Sequence, residues 1–248
     1  MTAHGSQTGS QFWSGLVFFL LVLLGLGYGF WQLQQWLEDE QRLPVETIKL
    51  SGQVQQVTQA QVDKVVRQGQ PGSFFELDVQ QALADIEALP WVYRASVRKE
   101  WPNHLRVHVV EQQAVAVWNG ELLLNRYGDS FSALLPPEAK DWPRLYGPEG
   151  SEQTALQGYR AMSSLLQGLQ LGIKELVLTE RFAWSLTLDS GLKIKLGRSE
   201  FIDRLQRLVD LYPLLEKDKR QADYVDIRYD TGLAVGWKDK ASDQQQEQ

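Results

Sequence analysis

An uninterrupted apolar stretch near the N-terminus constrains this chain more than any other feature. From Ser14 to Trp31 the residues SGLVFFLLVLLGLGYGFW include no charged side chain. These 18 residues would rise about 27 Å as a helix, close to the ~30 Å hydrocarbon core of a bilayer. Trp13 and Trp36 flank the stretch, where interfacial aromatic residues are expected. We therefore predict one transmembrane helix over residues 14–36, after a short tail of residues 1–13.

A cleaved signal peptide is the alternative interpretation of this stretch. The apolar part of a signal peptide is usually about 7–15 residues long and is followed by a small-x-small cleavage site. Here the stretch is longer and continues into QLQQWLEDEQR without such a site, which favours a retained anchor. Orientation is weakly encoded, because residues 1–13 contain no Lys or Arg. A short tail before a large C-terminal portion favours a single-pass type II protein with its N-terminus in the cytoplasm.

Composition excludes several classes of function. A net charge of −6 and a pI near 5.2 argue against nucleic-acid binding, and the absence of cysteine excludes disulfides and thiolate chemistry. No nucleophile elbow or phosphate-binding loop is present. His104 and His108 lie four residues apart on a turn and a strand, with no third ligand in the pattern, so we interpret them as surface histidines. We expect no catalytic site, no cofactor and no metal; the protein is predicted not to be an enzyme.

Residues 44–113 read as a small α+β unit, with Pro44 ending any helix from the membrane. Segment 45–52 (VETIKLSG) has the β-branched composition of a strand. Thr58-Gln-Ala-Gln61 resembles a capping box, and Asp78 can cap a second helix after the breaker Gly69-Gln-Pro-Gly72. Strands are predicted over 95–100 and 105–111, joined at Pro102-Asn103. The order strand, helix, helix, strand, strand places helices on one face of a sheet.

Residues 114–238 predict a β-rich domain with two helices, followed by a polar tail, 239–248, that should be disordered. Asn119-Gly120 is a strong hairpin signal. Residues 134–150 carry four prolines and are expected to form an irregular connection. Ser151 and Ser199 are expected to cap the two helices. The predicted strands are 115–118, 121–125, 173–179, 182–188, 192–196, 224–229 and 233–237.

The last two strands, meeting at Asp230-Thr231-Gly232, form a candidate binding surface. A strand at a sheet edge has unpaired N–H and C=O groups that a strand of another chain can pair with. The segment YVDIRYDTGLAVGW (224–237) also carries Arg and aromatic side chains, which often anchor interfaces. The alternative is that Tyr229 and Trp237 simply complete the core. The sequence leaves both readings open.

The order of elements in residues 44–113 resembles a POTRA domain, and the amino-acid sequence of the chain resembles the FtsQ/DivIB family of cell division proteins. The first half carries LPWV-x-x-A-SVRK-x-WP-x-x-L-x-VHVVE (89–111) and the Gly-Ser-Phe-Phe loop (72–75). The second half carries LYGPEGS, LQGYRAM, LKIKLGR and YVDIRYDTGLAVGW. The resemblance covers about residues 44–238. The tail before the helix departs from it, being short and without basic residues.

The resemblance implies a non-enzymatic divisome scaffold of the bacterial inner membrane. Its C-terminal part would be periplasmic and located at the division septum. The β domain would bind FtsB and FtsL in a ternary complex. The POTRA domain would contribute to recruitment downstream of FtsK, ahead of FtsW and FtsI and with FtsN as a further partner. The positions matching the family's FtsB-binding residues are Arg181, Arg228, Tyr229, Thr231, Gly232 and Trp237.

Two other classes of protein compete with this reading. A POTRA chaperone of outer-membrane assembly would need a C-terminal transmembrane barrel, but residues 114–238 include two amphipathic helices and are too short for a large one. A membrane-anchored cell-wall enzyme would need a catalytic pair, and sequence spacing among the 31 carboxylates nominates none.

Overall fold

The computed structural model describes residues 8–38, 45–69, 73–218, 220–229 and 232–238. The chain divides into two compact units, Met1–Glu111 and Gln112–Gln248. Several predictions concern residues outside the described ranges. They are most of the tail over 1–13, the helix stop at Pro44, part of the turn at 69–72, the hairpin residues Asp230 and Thr231, and the disordered tail over 239–248.

The apolar stretch forms one helix, α1 (Thr8–Glu38). Within it, Trp13–Gln35 has a mean hydropathy of 2.0 and is long and apolar enough to cross a membrane. None of its most apolar window is buried against the rest of the protein. A helix that is apolar on all sides and exposed needs an apolar surrounding, so α1 fits a transmembrane anchor.

The rest of the first unit has the predicted strand-helix-helix-strand-strand order. Its sheet runs β1-β3-β2, with β1 parallel and β2 antiparallel to the central β3. The alternating pattern of β3 places Leu105, Val107 and Val109 in the core, as their spacing predicts. The elements are β1 (Thr47–Ser51), α2 (Gln59–Gly69), α3 (Val79–Glu87), β2 (Val92–Glu100) and β3 (His104–Glu111).

Both predicted helix caps of this unit are confirmed. The Thr58 backbone N–H donates to Gln61 Oε1 over 2.8 Å, and the Gln61 N–H donates back to Thr58 Oγ1 over 3.3 Å. Asp78 accepts from the backbone N–H groups of Gln80 and Gln81. These bonds satisfy donors that the first turn of a helix leaves unpaired. The two helices bury Val62, Val66, Ala82 and Ile86 against the sheet.

The second unit is a long mixed sheet with two α-helices, in agreement with the predicted β-rich α+β domain. Over the residues that the structure describes, the sheet has nine strands in the order β12-β11-β10-β9-β8-β7-β4-β5-β6. The strands are β4 (Ala114–Trp118), β5 (Leu122–Asn125), β6 (Ser130–Phe131), β7 (Arg144–Tyr146), β8 (Ile173–Leu178), β9 (Trp184–Leu188), β10 (Lys193–Gly197), β11 (Ala222–Asp226) and β12 (Ala234–Trp237). The helices are α4 (Glu152–Leu166), continued by a 3-10 turn to Leu169, and α5 (Phe201–Glu216).

The Pro-rich connection over 134–150 is less irregular than predicted. It contains a 3-10 turn (Pro137–Lys140) and the short strand β7. β7 lies between β4 and β8 and is parallel to both, so it joins two otherwise separate parts of the sheet. Leu145, its central residue, is fully buried.

The predicted serine caps of α4 and α5 are wrong. Ser151 does precede α4, but its hydroxyl donates to the Pro148 carbonyl over 2.6 Å and makes no bond to the helix. Before α5 the capping position is held by Glu200, in a left-handed conformation with φ +53°, and no side chain caps the helix. The local Pro148 turn competes for the Ser151 hydroxyl, as short polar side chains commonly bond to nearby backbone.

Candidate partner-binding edge

Strand β12 forms one edge of the nine-stranded sheet. It pairs with β11 in an antiparallel register that sets Val235 opposite Val225 and Ala234 opposite Asp226. On its other side the described part of the chain provides no strand. The Lys238 N–H donates inward to the Gln221 carbonyl over 2.9 Å. Because inward and outward groups alternate along an edge strand, the N–H groups of Trp237 and Val235 point away from β11.

The hairpin differs from its predicted bounds. β11 covers Ala222–Asp226 and not 224–229, so Arg228 and Tyr229 lie after the strand, in the connection to β12. The register slips by one residue between Ala222 and Tyr224, which marks a bulge on β11. Gly232 lies in the same connection and is half-buried, whereas Thr231 is outside the described residues.

Strand directions bring most of the predicted residues to one end of the sheet. β8 and β9 are antiparallel, β9 and β10 are antiparallel, and β10 and β11 are parallel. The loop after β8, which carries Arg181, therefore lies at the same end as the loop carrying Arg228, Tyr229 and Gly232. Trp237 lies at the opposite end of β12, opposite Ala222.

Arg181 is not on the β12 edge itself. Its loop joins β8 to β9, and three strand spacings of about 4.8 Å separate β9 from β12, about 14 Å in all. A strand added to β12 would be one spacing further away. Arg181 can therefore contact a partner that extends across the strand ends, but not one confined to the edge. Its neighbour Phe182 is half-exposed with φ +57°.

Arg228 is engaged within the chain. Its Nη2 donates to Asp226 Oδ2 over 2.6 Å and its Nε to Oδ1 over 2.9 Å. Asp226 is buried, whereas the Arg228 guanidinium remains more than half exposed. The hydrogen bonds from Arg228 hold the pKa of the Asp226 carboxyl below its ordinary value despite its burial. The guanidinium thus fixes the loop after β11 and still offers donors to solvent.

Tyr229 is on the surface, not in the core. It is 57% exposed and is absent from the buried cluster of the unit. Its carbonyl accepts from Arg207 Nη1 over 3.0 Å, so α5 fixes the backbone of the loop while the ring stays accessible. This geometry disagrees with the interpretation of Tyr229 as a core residue.

Trp237 is half-buried and belongs neither to the buried core cluster nor to the partly buried residues packed against it. The Arg220 guanidinium lies over its ring, with Cζ 4.1 Å from the centroid. Arg220 also donates to Asp218 over 2.9 Å, and that bond lowers the pKa of Asp218 to about 2. Gly236, next to Trp237, faces the Tyr224 ring so closely that a Cβ there would collide with it.

These contacts involve residues that the sequence analysis missed. Asp226, Arg207 and Arg220 hold the hairpin. Asp226 ends β11, Arg220 precedes it and Arg207 lies on α5, so no local sequence pattern links the three. Only the Asp-x-Arg spacing of Asp226 and Arg228 offered a signal, because an Asp side chain commonly bonds to backbone two residues on, as it does here over 3.2 Å.

The described residues contain no group of three or more metal-ligating side chains. His104 and His108 fall on the same face of β3, and His104 is half-buried while His108 is exposed. Two guanidinium–carboxylate pairs, Arg228–Asp226 and Arg220–Asp218, lie beside the candidate edge.

Comparison with known families is decisive for identity. Residues 43–112 match the family model described as the POTRA domain, FtsQ-type, and residues 116–228 match the one described as cell division protein FtsQ/DivIB, C-terminal. The chain belongs to the FtsQ/DivIB family. A cell division protein FtsQ from Shewanella oneidensis is 40% identical over 237 residues, covering 96% of this chain and 90% of that protein.

Two further FtsQ proteins show how far the similarity extends. The Escherichia coli protein is 40% identical over 233 residues, with 90% of this chain and 84% of that protein covered. The Vibrio cholerae protein is 36% identical over 224 residues, covering 90% and 86%. The FtsQ/DivIB C-terminal model ends at Arg228, so Tyr229, Gly232 and Trp237 lie beyond it. The family is a cell division family and is not known as an enzyme family.

Proposed function

We propose that the protein is a non-enzymatic scaffold of the bacterial division complex that binds FtsB and FtsL through the β12 edge. The observation that carries the proposal is the position of β12, which the described residues pair on one side only and which is bordered by the exposed Tyr229 and Arg228. A partner strand would gain main-chain hydrogen bonds along β12 and side-chain specificity from its surroundings.

The six residues have distinct roles in this proposal. Trp237, at the end of β12, and Tyr229, in the loop before β12, are the aromatic anchors, and Gly232 lies in the same loop. Thr231, the remaining candidate, lies outside the described residues. Arg228 and Arg181 contact carboxylates of the partner across the strand ends. Because Arg228 already neutralises Asp226, a partner carboxylate would meet a shared guanidinium there, and Arg181 would be the stronger electrostatic contact.

The proposal places α1 in the inner membrane and residues 44–238 in the periplasm, at the septum. The length and apolarity of Trp13–Gln35 support the anchor. A reporter fused after residue 238 should be active only if it is of a kind that works outside the cytoplasm. Strong activity of a cytoplasm-only reporter at that position would contradict the orientation.

Within this scheme residues 44–113 and 114–238 act as separate binding modules. The first would contribute to recruitment downstream of FtsK, and the second would bring FtsB and FtsL to the site ahead of FtsW and FtsI, with FtsN as a further partner. The separate cores of the two units support the proposal that each unit binds its own partners.

Alanine substitution of the anchors tests the proposal. Tyr229→Ala or Trp237→Ala should remove an anchor worth about 2 kcal/mol or more, about thirtyfold in affinity for FtsB. Tyr229 is exposed, so its loss should leave the melting temperature unchanged. Tyr127→Ala, a similarly exposed tyrosine elsewhere in the same unit, is the matched control. Full affinity in folded Tyr229→Ala and Trp237→Ala proteins would refute the edge as the binding site.

A further inference from the structure

The first unit carries an exposed aromatic cluster that the proposed partner binding does not use. Trp101, in the turn between β2 and β3, is 72% exposed. Its ring packs edge-on against Phe75 at 5.4 Å and against Phe74 at 5.8 Å. Phe74 is fully buried, but Phe75 is 36% exposed. We call Phe74, Phe75 and Trp101 the aromatic turn.

The aromatic turn is held rigidly, although its outer rings face solvent. Lys99 Nζ lies 5.3 Å from the Phe74 ring centroid and donates to the Phe75 carbonyl over 3.0 Å. Burial lowers the pKa of Lys99, while the charge of Asp78 opposes that effect. Two adjoining aromatic rings that are fixed in place and left in water are candidates for an interaction surface.

The chain enters this unit beside the aromatic turn. The Glu46 N–H donates to the Asn103 carbonyl over 3.0 Å, and Asn103 Nδ2 donates to Glu46 Oε2 over 2.8 Å. Thr47 then pairs with His104 at the start of the parallel β1–β3 ladder. Glu46 is eight positions after Glu38, the end of α1, so the two can be at most about 28 Å apart. The end of the sheet with Trp101 is thus the end tied to the membrane helix.

The open face of the same sheet is basic. It presents Lys49 from β1, Arg106 from β3, and Arg94 and Arg98 from β2, with Glu100 as the one carboxylate on these strands' exposed face. Glu100 bridges Lys49, at 3.5 Å, and Arg106. This local excess of cations contrasts with the net charge of −6 for the whole chain. Cations beside a membrane surface are attracted by anionic lipid headgroups.

We propose that the aromatic turn docks onto the bilayer that α1 spans, with Trp101 and Phe75 in the lipid headgroup region. Lys49, Arg98 and Arg106, the cations of the sheet face nearest that end, would then lie next to lipid phosphates. Trp is favoured at this depth because its ring is apolar while its indole N–H can still bond to water or headgroups. The inference rests on the proposed membrane anchoring of α1. It assigns to the first unit a lipid contact that would restrict the unit's orientation relative to the membrane.

Spin labels on the full chain in nanodiscs of phosphatidylethanolamine and phosphatidylglycerol test this docking. The chain has no cysteine, so single cysteines can be introduced and labelled at will. Thr47→Cys reports on the docked end, and Ser96→Cys, about 13 Å further along the open face, reports on the distal end. Leu24→Cys lies within the membrane helix. Depth is read from the ratio of collisions with oxygen to collisions with a water-soluble nickel complex.

We expect the Leu24 label in hydrocarbon, the Thr47 label at the interface and the Ser96 label in water. Trp101→Ser should at least halve the oxygen-to-nickel ratio at Thr47, whereas Trp101→Tyr should retain most of it. Val110→Ser, which removes an exposed apolar side chain from the far end of β3, is the matched control and should change nothing.

A Thr47 label as accessible to nickel as the Ser96 label, with Leu24 in hydrocarbon, would overturn the docking and leave the anchor intact. An unchanged ratio in Trp101→Ser would also overturn it, because the tether alone would then hold the unit near the bilayer. If the Thr47 label were in water and Trp101→Ser weakened binding of a division protein, the aromatic turn would bind a protein and the lipid docking would be wrong. A Leu24 label outside hydrocarbon would refute the anchor itself, and the docking with it.

Discussion

At the scale of single residues, the pair Asp226–Arg228 determines how the hairpin responds to pH. Asp226 is buried and has its pKa lowered chiefly by hydrogen bonds from Arg228. A carboxyl with a lowered pKa in the folded state stabilises the fold fully above the pKa of the unfolded state, about 3.9, and loses that contribution progressively as pH falls from there through the folded-state pKa. Arg228→Ala should therefore destabilise the protein by about 1–3 kcal/mol at pH 7 and by less near pH 3.

Denaturant unfolding of both proteins at pH 7 and pH 3 measures this difference. Asp226→Asn combined with Arg228→Ala removes the buried charge as well, and should recover part of the stability lost at pH 7. A destabilisation that did not change with pH would mean that Arg228 acts through packing alone. Arg181→Ala, on the neighbouring loop, is the control and should show no such pH dependence.

Residue-level sequence reasoning succeeded where both partners of a contact lie within one helical turn. Thr58 and Gln61 form the predicted capping box, and Asp78 accepts from the backbone N–H groups of Gln80 and Gln81 as its position predicts. The predicted cap at Ser151 was wrong, because its hydroxyl donates to the Pro148 carbonyl, three residues upstream, and not to the helix. The contacts of Tyr229 and Trp237 were undetermined because Arg207 and Arg220 reach them from distant parts of the chain.

At the scale of elements, the free side of β12 can be tested with proline. Val235→Pro removes an N–H that points away from β11, whereas Ala234→Pro removes one that points toward it. Proline is tolerated on edge strands when the lost N–H faces outward. We expect Val235→Pro to keep its melting temperature within a few degrees and to lose at least tenfold in affinity for FtsB, and Ala234→Pro to lose both. Equal binding by Val235→Pro and the wild type would exclude main-chain pairing along β12.

Element prediction from sequence depended on length and periodicity. The amphipathic helices and alternating strands were found, because each has several residues that repeat the same pattern. β7 was missed, because three residues between Pro143 and Pro148 cannot display a period of two. Its position in the middle of the sheet comes from long-range pairing with β4 and β8, which a local pattern does not encode.

At the scale of the whole molecule, the two units have separate cores, because no buried residue in the described part of the chain belongs to both clusters. Leu105 is fully buried at the centre of the first core, and Leu176 is fully buried in the second. A buried unpaired carboxylate costs more than a small domain can tolerate. Leu105→Asp should therefore unfold the first unit while the full-length protein still binds FtsB. Leu176→Asp should abolish FtsB binding and leave the first unit folded.

Limited proteolysis of the membrane-embedded full chain, read beside FtsB affinity, separates these outcomes. Leu105→Asp should yield a protected fragment from the second unit with affinity within about threefold of the wild type, whereas Leu176→Asp should yield a protected fragment from the first. Val110→Asp, an exposed position on the same strand as Leu105, controls for the added charge. If Leu105→Asp removed protection from both units together, the two modules would fold as one cooperative body, and their proposed separate roles in division would have to be abandoned.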